Sequence, residues 1–209
     1  MPPPLADRKS RTREHYPFLL DYRTRWNDND MYNHMNNSVY DFLFDSAVNA
    51  YLLEHCGLDP RSAPQHPVVV RTSTDYCAPI AYPAVAEVGV RVARLGRSSV
   101  AFELGLFEQG VGGVKAVCDF VHVFVDRATG RPAAAGMAPH VRRGLEKLCR
   151  GEEAADGRSR LRSSCPAYGR YGGGGGGGDD DDDDDDDGAG AGRSRLAKSS
   201  SSFRSLQRP

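Results

Sequence analysis

The sequence predicts an α+β fold in which an antiparallel β-sheet wraps around one long central helix. Two observations carry this. One long stretch of helical periodicity, from about Ser38 to His55, follows a single strand-like segment. Four further strand-like segments come after it, and short turns join them, which makes sequential strands antiparallel neighbours.

The first strand-like segment runs from Phe18 to Trp26, where Leu20, Tyr22, Thr24 and Trp26 alternate with Leu19, Asp21, Arg23 and Arg25. In the helical stretch, Val39, Phe42, Leu43, Ala47, Ala50 and Leu53 recur at three- and four-residue spacing and define a broad apolar face. Two starts compete, Asn37 as N-cap or Ser38 with Asp41 as a capping box, and only one can be real. Gly57 is the expected stop.

A β-branched run from Val68 to Tyr76 follows and ends by Pro79. Beyond Pro83, Val88, Val90 and Val92 share a face; after the turn at Gly96, so do Val100, Phe102, Leu104 and Leu106. Gly110, Gly112 and Gly113 turn the chain into Val117–Val125, which is apolar enough to be buried on both faces, and Asp126–Gly130 closes it. A short amphipathic helix is expected over Ala138–Leu148. A sheet of this size covers its helix on one side only, so a homo-oligomer is expected to cover the rest.

Three regions result. Residues 1–15, with Pro2-Pro3-Pro4 and several basic side chains, read as a flexible arm without the apolar core of a secretory signal. Asp7 and Glu14 argue mildly against a transit peptide. Residues 16–150 form the domain. Residues 151–209 read as a disordered tail, with Gly at every position from 172 to 178 and Asp at every position from 179 to 187.

Charge excludes some classes. The first 150 residues hold 18 Lys and Arg against 16 Asp and Glu, without the basic balance of a nucleic-acid-binding domain. No run of about 18 apolar residues exists to span a membrane. The five cysteines are odd in number, widely spaced and without a C-x-x-C pair, which argues against a zinc site or a disulfide framework and for a reducing, cytosol-like compartment.

The densest polar chemistry lies at the strand-to-helix junction, Arg25-Trp26-Asn27-Asp28-Asn29-Asp30-Met31-Tyr32-Asn33-His34-Met35-Asn36-Asn37. It is not a calcium loop, because the sixth position is Asn33 rather than Gly and the twelfth is Val39 rather than Glu. A helix start presents unpaired N–H groups and partial positive charge, which can hold a carbonyl oxygen as it gains negative charge. A carboxylate just upstream can deprotonate water or attack directly.

Trp26-x-Asp28-x-Asp30, then His34-x-Asn36-Asn37 and Tyr40, resembles the signature of hotdog-fold acyl-CoA thioesterases of the 4-hydroxybenzoyl-CoA thioesterase-like group. The resemblance covers about Tyr16 to Leu148. It departs at Asn33, where the family usually has Gly; Asn tolerates the left-handed conformation better than most residues.

The resemblance implies hydrolysis of an acyl-CoA to a free acid and coenzyme A. It selects Asp30 as general base or nucleophile, and His34, Asn36 and Asn37 as residues that orient the site and substrate. No metal or redox cofactor is implied, and a homodimer or homotetramer is expected. For the coenzyme A phosphates, Arg94, Arg97, Ser98 and Ser99 around Gly96 are the main candidates, with Arg71, Arg127 and Arg131 behind them. Phe42, Phe44 and Ala47 would line an acyl pocket if a cavity opens beside them, and otherwise belong to the core. A hotdog hydratase or dehydratase and a non-catalytic acyl-CoA-binding protein are the alternatives.

Overall fold

The structure, a computed structural model, describes residues 4–150 and the pair 160–161. The chain divides into compact units of residues 1–170 and 171–209, and the described residues all belong to the first. Most of the expected tail, including the poly-Gly and poly-Asp runs, therefore lies outside the described residues.

The elements are α1 (Leu5–Lys9), β1 (Phe18–Arg23), α2 (Asn37–Cys56), β2 (Gln65–Tyr76), β3 (Val85–Leu95), β4 (Ser99–Glu108), β5 (Val114–Asp126), α3 (Pro139–Arg150) and the two-residue β6 (Arg160–Leu161). One sheet runs in the order β2-β5-β4-β3-β1-β6, so β3, β4 and β5 are sequential neighbours as expected, but β2 crosses to pair with β5 rather than with β3, and β1 takes the place beside β3. Every pair among β1 to β5 is antiparallel, and β6 lies parallel to β1.

Register explains the core. Val88, Val90 and Val92 of β3 stand opposite Leu106, Leu104 and Phe102 of β4, and the last two also face Cys118 and Phe120 of β5. All of these are buried and belong to one cluster with α2. The helix contributes Tyr40, Leu43, Phe44, Ala47, Val48, Tyr51, Leu52 and Cys56, a stripe with helical spacing. Complete burial of one such Leu or Phe contributes about 1.5–3 kcal/mol.

That stripe differs from the expected face. Leu43 and Ala47 are in it, but Phe42 is 63% exposed and Leu53 is 40% exposed. The helix carries apolar residues on most sides, so several phases satisfy the spacing and only the sheet selects one. Gly57 ends the helix as expected, in the left-handed conformation at φ 63°. From α3, Val141, Leu145 and Leu148 enter the core, and Gly144 O accepts a 2.8 Å hydrogen bond from Tyr51 Oη.

The outer face of the sheet is covered too. Gly89 and Gly105 face each other across β3 and β4, and the Tyr16 ring lies over both. Leu19, Phe107, Val114 and Val117 complete this smaller cluster, so Val117 is indeed buried on the outer side. The segment expected as a flexible arm is instead folded down: it holds α1 and a 3-10 turn at Arg13–His15, and its arginines pair with carboxylates of the sheet. Buried ion pairs, invisible in a Pro- and Arg-rich composition, are the reason. No helix among the described residues is long and apolar enough to cross a membrane.

One core residue carries a titratable penalty. His122 on β5 is 2% exposed against Phe102 and Phe120, and neither ring nitrogen has a hydrogen-bond partner among the described residues. Burial lowers its pKa to about 4. The unfolded chain, with an ordinary imidazole near pH 6.5, binds the proton more readily than the native state. The His122 contribution is therefore intact above about pH 6.5 and is lost as pH falls toward 4, by at most about 3 kcal/mol. Denaturant unfolding at stepped pH is expected to show this acid-side slope, and His122→Leu is expected to flatten it.

Candidate functional site

The strand-to-helix junction is built by interlocking hydrogen bonds. At the end of β1, Thr24 N and Oγ1 both donate to Ala84 O at 3.0 Å, and Thr24 Oγ1 accepts from Ala84 N at 2.8 Å. The chain then turns through a 3-10 segment, Trp26–Asp28, closed by the Asp28 carboxylate. Asp28 is 1% exposed and accepts from Arg25 N (2.6 Å), Arg25 Nη2 (2.9 Å) and Tyr22 Oη (3.1 Å). Burial alone would raise its pKa, but the hydrogen bonds from Arg25 and Tyr22 outweigh burial and hold it below the usual carboxylate range. Asp28 is thus consumed by the loop itself.

Asp30 is placed differently. Its N–H donates to His34 O at 2.7 Å, and its Oδ1 accepts from Tyr32 N (2.8 Å) and His34 N (3.1 Å). One carboxylate oxygen is fixed in this turn, and Oδ2 has no hydrogen-bond partner among the described residues. Asn33 completes the turn at φ 62°, the one non-glycine residue with positive φ among the described residues. The expectation that Asn could stand where the family prefers Gly is met. The His34 side chain is exposed.

The helix start corrects both expected caps. The N-cap is Asn36, whose Oδ1 accepts from Ser38 N (3.0 Å) and Ser38 Oγ (2.8 Å). Asn37 is already the first helical residue. Asp41 makes no capping box, because its Oδ1 takes a 3.1 Å hydrogen bond from Thr74 of β2 instead. Asn36 N also donates to Asp28 O at 2.8 Å, so the loop fixes where the helix begins. Ser38 N is taken by the cap and Val39 N bonds back to Asn36 O, leaving the Asn37 N–H without an acceptor among the described residues.

Beside Asp30 opens a cleft of ≈ 280 Å³ lined by Trp26, Asn29, Asp30, Met31, Asn33 and Tyr82. Its walls combine apolar side chains with amides and one carboxylate, the mix that binding clefts use. Trp26 and Tyr82 meet edge-to-face at 6.0 Å, and Asn29 Oδ1 accepts from Tyr82 N at 3.0 Å. Asn29, Met31 and Tyr82 are additions to the candidate residues. Asn29 and Met31 lay within the dense stretch, but no local pattern marks Tyr82, which lies 53 positions beyond Asn29.

The other candidates are not gathered here. Arg94 and Arg97 are exposed and Ser98 and Ser99 half-buried at the β3–β4 turn, whereas the junction lies at the opposite end of β3. Eleven residues of strand separate the two ends, about 35 Å at strand rise. Within one subunit the turn is out of reach of Asp30. It packs instead on α3 and the segment before it, where Arg97 O accepts from Met137 N and Gly96 O from Arg142 Nη1, each at 2.9 Å.

Arg127 holds the loop before β2 through Ala63 O and Pro60 O, both at 2.8 Å, and Arg71 and Arg131 are exposed. Phe44 and Ala47 are fully buried in the core and Phe42 points outward, so these three form no acyl pocket. A crevice of ≈ 20 Å³ between Leu58, Pro64 and Val141 holds about one water and lies away from Asp30. Among the described residues no group of three or more His, Cys, Asp or Glu could hold a metal ion.

The chain belongs to the thioesterase-like superfamily, whose model matches residues 24–145. The sheet wrapped around α2 is the hotdog fold of that family. Among solved structures, the PA5185 protein of Pseudomonas aeruginosa PAO1 is 46% identical, with a TM-score of 0.63 over 66% of this chain and 94% of that one. A thioesterase from Thermus thermophilus, in complex with coenzyme A and zinc, is 29% identical, with a TM-score of 0.55 over 65% of this chain and 96% of that one. A 1,4-dihydroxy-2-naphthoyl-CoA thioesterase from Synechocystis, at 12% identity and a TM-score of 0.57 over 63% of this chain and 96% of that one, shares the fold. A search of curated proteins finds no match.

The loop geometry sets two stability expectations. Asn33→Ala is expected to cost about 1–2 kcal/mol, because a Cβ without a polar side chain strains the left-handed conformation, whereas Asn33→Gly is expected to be near neutral. Asp28→Asn, which leaves Arg25 and Tyr22 without their anion, is expected to cost about 2 kcal/mol or more. Urea titrations of the three variants check both.

Proposed function

We propose that this protein is an acyl-CoA thioesterase that hydrolyses an acyl-CoA to a free carboxylic acid and coenzyme A. The observation that carries the reading is Asp30, held by one oxygen in its own turn, lining a cleft and lying seven positions before Asn37, the first residue of a 20-residue helix. In this reading the thioester carbonyl oxygen sits toward the Asn37 N–H, where helix-end charge favours the oxyanion that develops. Asp30 Oδ2 takes a proton from water as the hydroxyl oxygen bonds to the carbonyl carbon. The tetrahedral intermediate then expels the coenzyme A sulfur, which leaves with that proton as the C–S bond breaks. Direct attack by Asp30 is the other route open to the same atom. Asn36 and His34 act by holding the helix start and the Asp30 turn.

The coenzyme A phosphates are then met by a second subunit. Strand β2 pairs with β5 alone among the described strands, and Val69, Val70 and Tyr76 on it are exposed, as is Phe42 on α2. An open edge of this kind is a template for a second copy. Antiparallel pairing of β2 with its copy about a two-fold near Arg71 lays the partner's Gln65 end beside this subunit's Tyr76 end. The β3–β4 turn lies at the Gln65 end, because Ser99 and Val68 both face Val123. Arg94 and Arg97 thereby reach the opposite subunit's site. The coenzyme A bound by the Thermus relative supports that ligand class.

Thiol release from a panel of acyl-CoAs tests the activity, and no hydrolysis of any member would refute it. Asp30→Asn is expected to lower turnover by about 10²–10⁴-fold, well beyond Asp28→Asn once folding is confirmed. Arg94→Ala with Arg97→Ala is expected to raise KM more than it lowers kcat, since phosphate contacts are mostly uniform binding. Light scattering is expected to give a dimer or tetramer, and a monomer at micromolar concentration would remove the trans phosphate site.

A further inference from the structure

The outer face of the sheet carries Asp75 on β2, Asp119 on β5, Glu103 on β4 and Glu87 on β3, and the N-terminal segment lays three arginines across them. Arg8 Nη1 stands 3.1 Å from Asp75 Oδ2 and 3.3 Å from Asp119 Oδ2. Arg11 Nε is 3.0 Å from Glu103 Oε1, and Arg13 Nε is 2.5 Å from Glu87 Oε2. Arg8 is the most enclosed: it is 5% exposed, and its Nε and Nη2 have no partner among the described residues. Removing one partner of a charge buried so completely is strongly destabilising, because the carboxylates are left uncompensated.

Asp75 lies between two contacts that reach α2 from the other face of β2. Thr74 Oγ1 donates to Asp41 Oδ1 at 3.1 Å, and the Tyr76 ring meets Tyr40 edge-to-face at 5.1 Å. Tyr40 and Asp41 sit just inside the helix start that adjoins the Asp30 loop. Within one subunit and among the described strands β2 is held by β5 alone, so its end moves if Asp75 on β2 and Asp119 on β5 are left to repel each other. These arginines precede the residues matched by the family.

We propose that Arg8 is a positioning residue for the Asp30 site: it clamps the end of β2, and β2 in turn fixes the start of α2 against the loop. The proposal rests on the thioesterase reading for its kinetic arm. Its structural arm does not.

The test compares the full-length parent with Arg8→Met, Arg8→Lys, Thr74→Val, and Arg8→Met combined with either Asp75→Asn or Thr74→Val, using one acyl-CoA that the parent hydrolyses. Arg8→Met is expected to lower kcat about tenfold with KM within about twofold. Arg8→Lys is expected to retain most activity, and adding Asp75→Asn to Arg8→Met is expected to recover it by removing the repulsion. Thr74→Val is expected to reproduce the loss, and Arg8→Met with Thr74→Val is expected to lose no more than either alone.

In amide hydrogen exchange, residues 37–41 of folded Arg8→Met are expected to exchange faster than in the parent. Unchanged kcat with only a lower Tm, additive losses, or unaltered exchange at residues 37–41 would overturn the proposal. If Arg8→Met does not fold, Arg8→Gln, which removes the charge and keeps a polar group, decides it by the same exchange readout at residues 37–41. A parent that hydrolyses no acyl-CoA would remove the functional reading, and exchange would still decide the coupling.

Discussion

The junction depends on one buried anion. Asp28 takes hydrogen bonds from the end of β1 through Tyr22 and from the following turn through Arg25. Its backbone carbonyl takes another from Asn36, the residue that caps α2. Three pieces of chain that would otherwise move separately are thus referred to one residue. A carboxylate removed from water is costly unless fully paired. Here the pairing is nearly complete, and the direction of Asp30 two residues on follows from it. The two aspartates divide the labour: one holds the loop, and the other presents an oxygen to the cleft.

Much of this was legible in the sequence. The strands themselves, the single long helix and the turns at Gly57, Gly96 and Gly110 are local signals, and each lies where its residues place it, whereas the pairing of β2 with β5 instead of β3 is a long-range choice that no turn announces. Asn33 was legible because only a few residue types tolerate its conformation. The cap was not. Asn36 and Asn37 are adjacent and equally capable, and the choice falls to Asn36 because its N–H is also wanted by Asp28 O. The buried face of α2 was missed for a related reason. A helix apolar on most sides has no preferred phase until the sheet is beneath it, and the sheet takes Phe44 and leaves Phe42 outside.

Long-range ion pairs were the least legible feature. Arg8, Arg11 and Arg13 look like ordinary surface charge in sequence, yet their partners lie 67, 92 and 74 positions away. Tyr82 was hidden in the same way, joining the cleft only because the β2–β3 connection folds back onto Asn29. For the arginine candidates for phosphate the missing information was topological. Their chemistry was right for the ligand, but a strand of β3's length separates them from Asp30 unless a second subunit brings them round. Sequence reports which groups exist. Reach is decided by topology.

The trough formed by Gly89 and Gly105 has a consequence for how this protein can vary. A Cβ at Gly89 would fall 2.5 Å from the Tyr16 ring, and one at Gly105 2.6 Å from its hydroxyl. Neither glycine is required by its own backbone; each is required by the ring that lies over it. The three positions therefore form one packing unit. A drift to alanine at either glycine is barred while the tyrosine stays, and loss of the tyrosine bares two glycines in mid-strand, where they are poor strand formers. Change at this place in a lineage has to come as a set, with the whole N-terminal segment released or kept together.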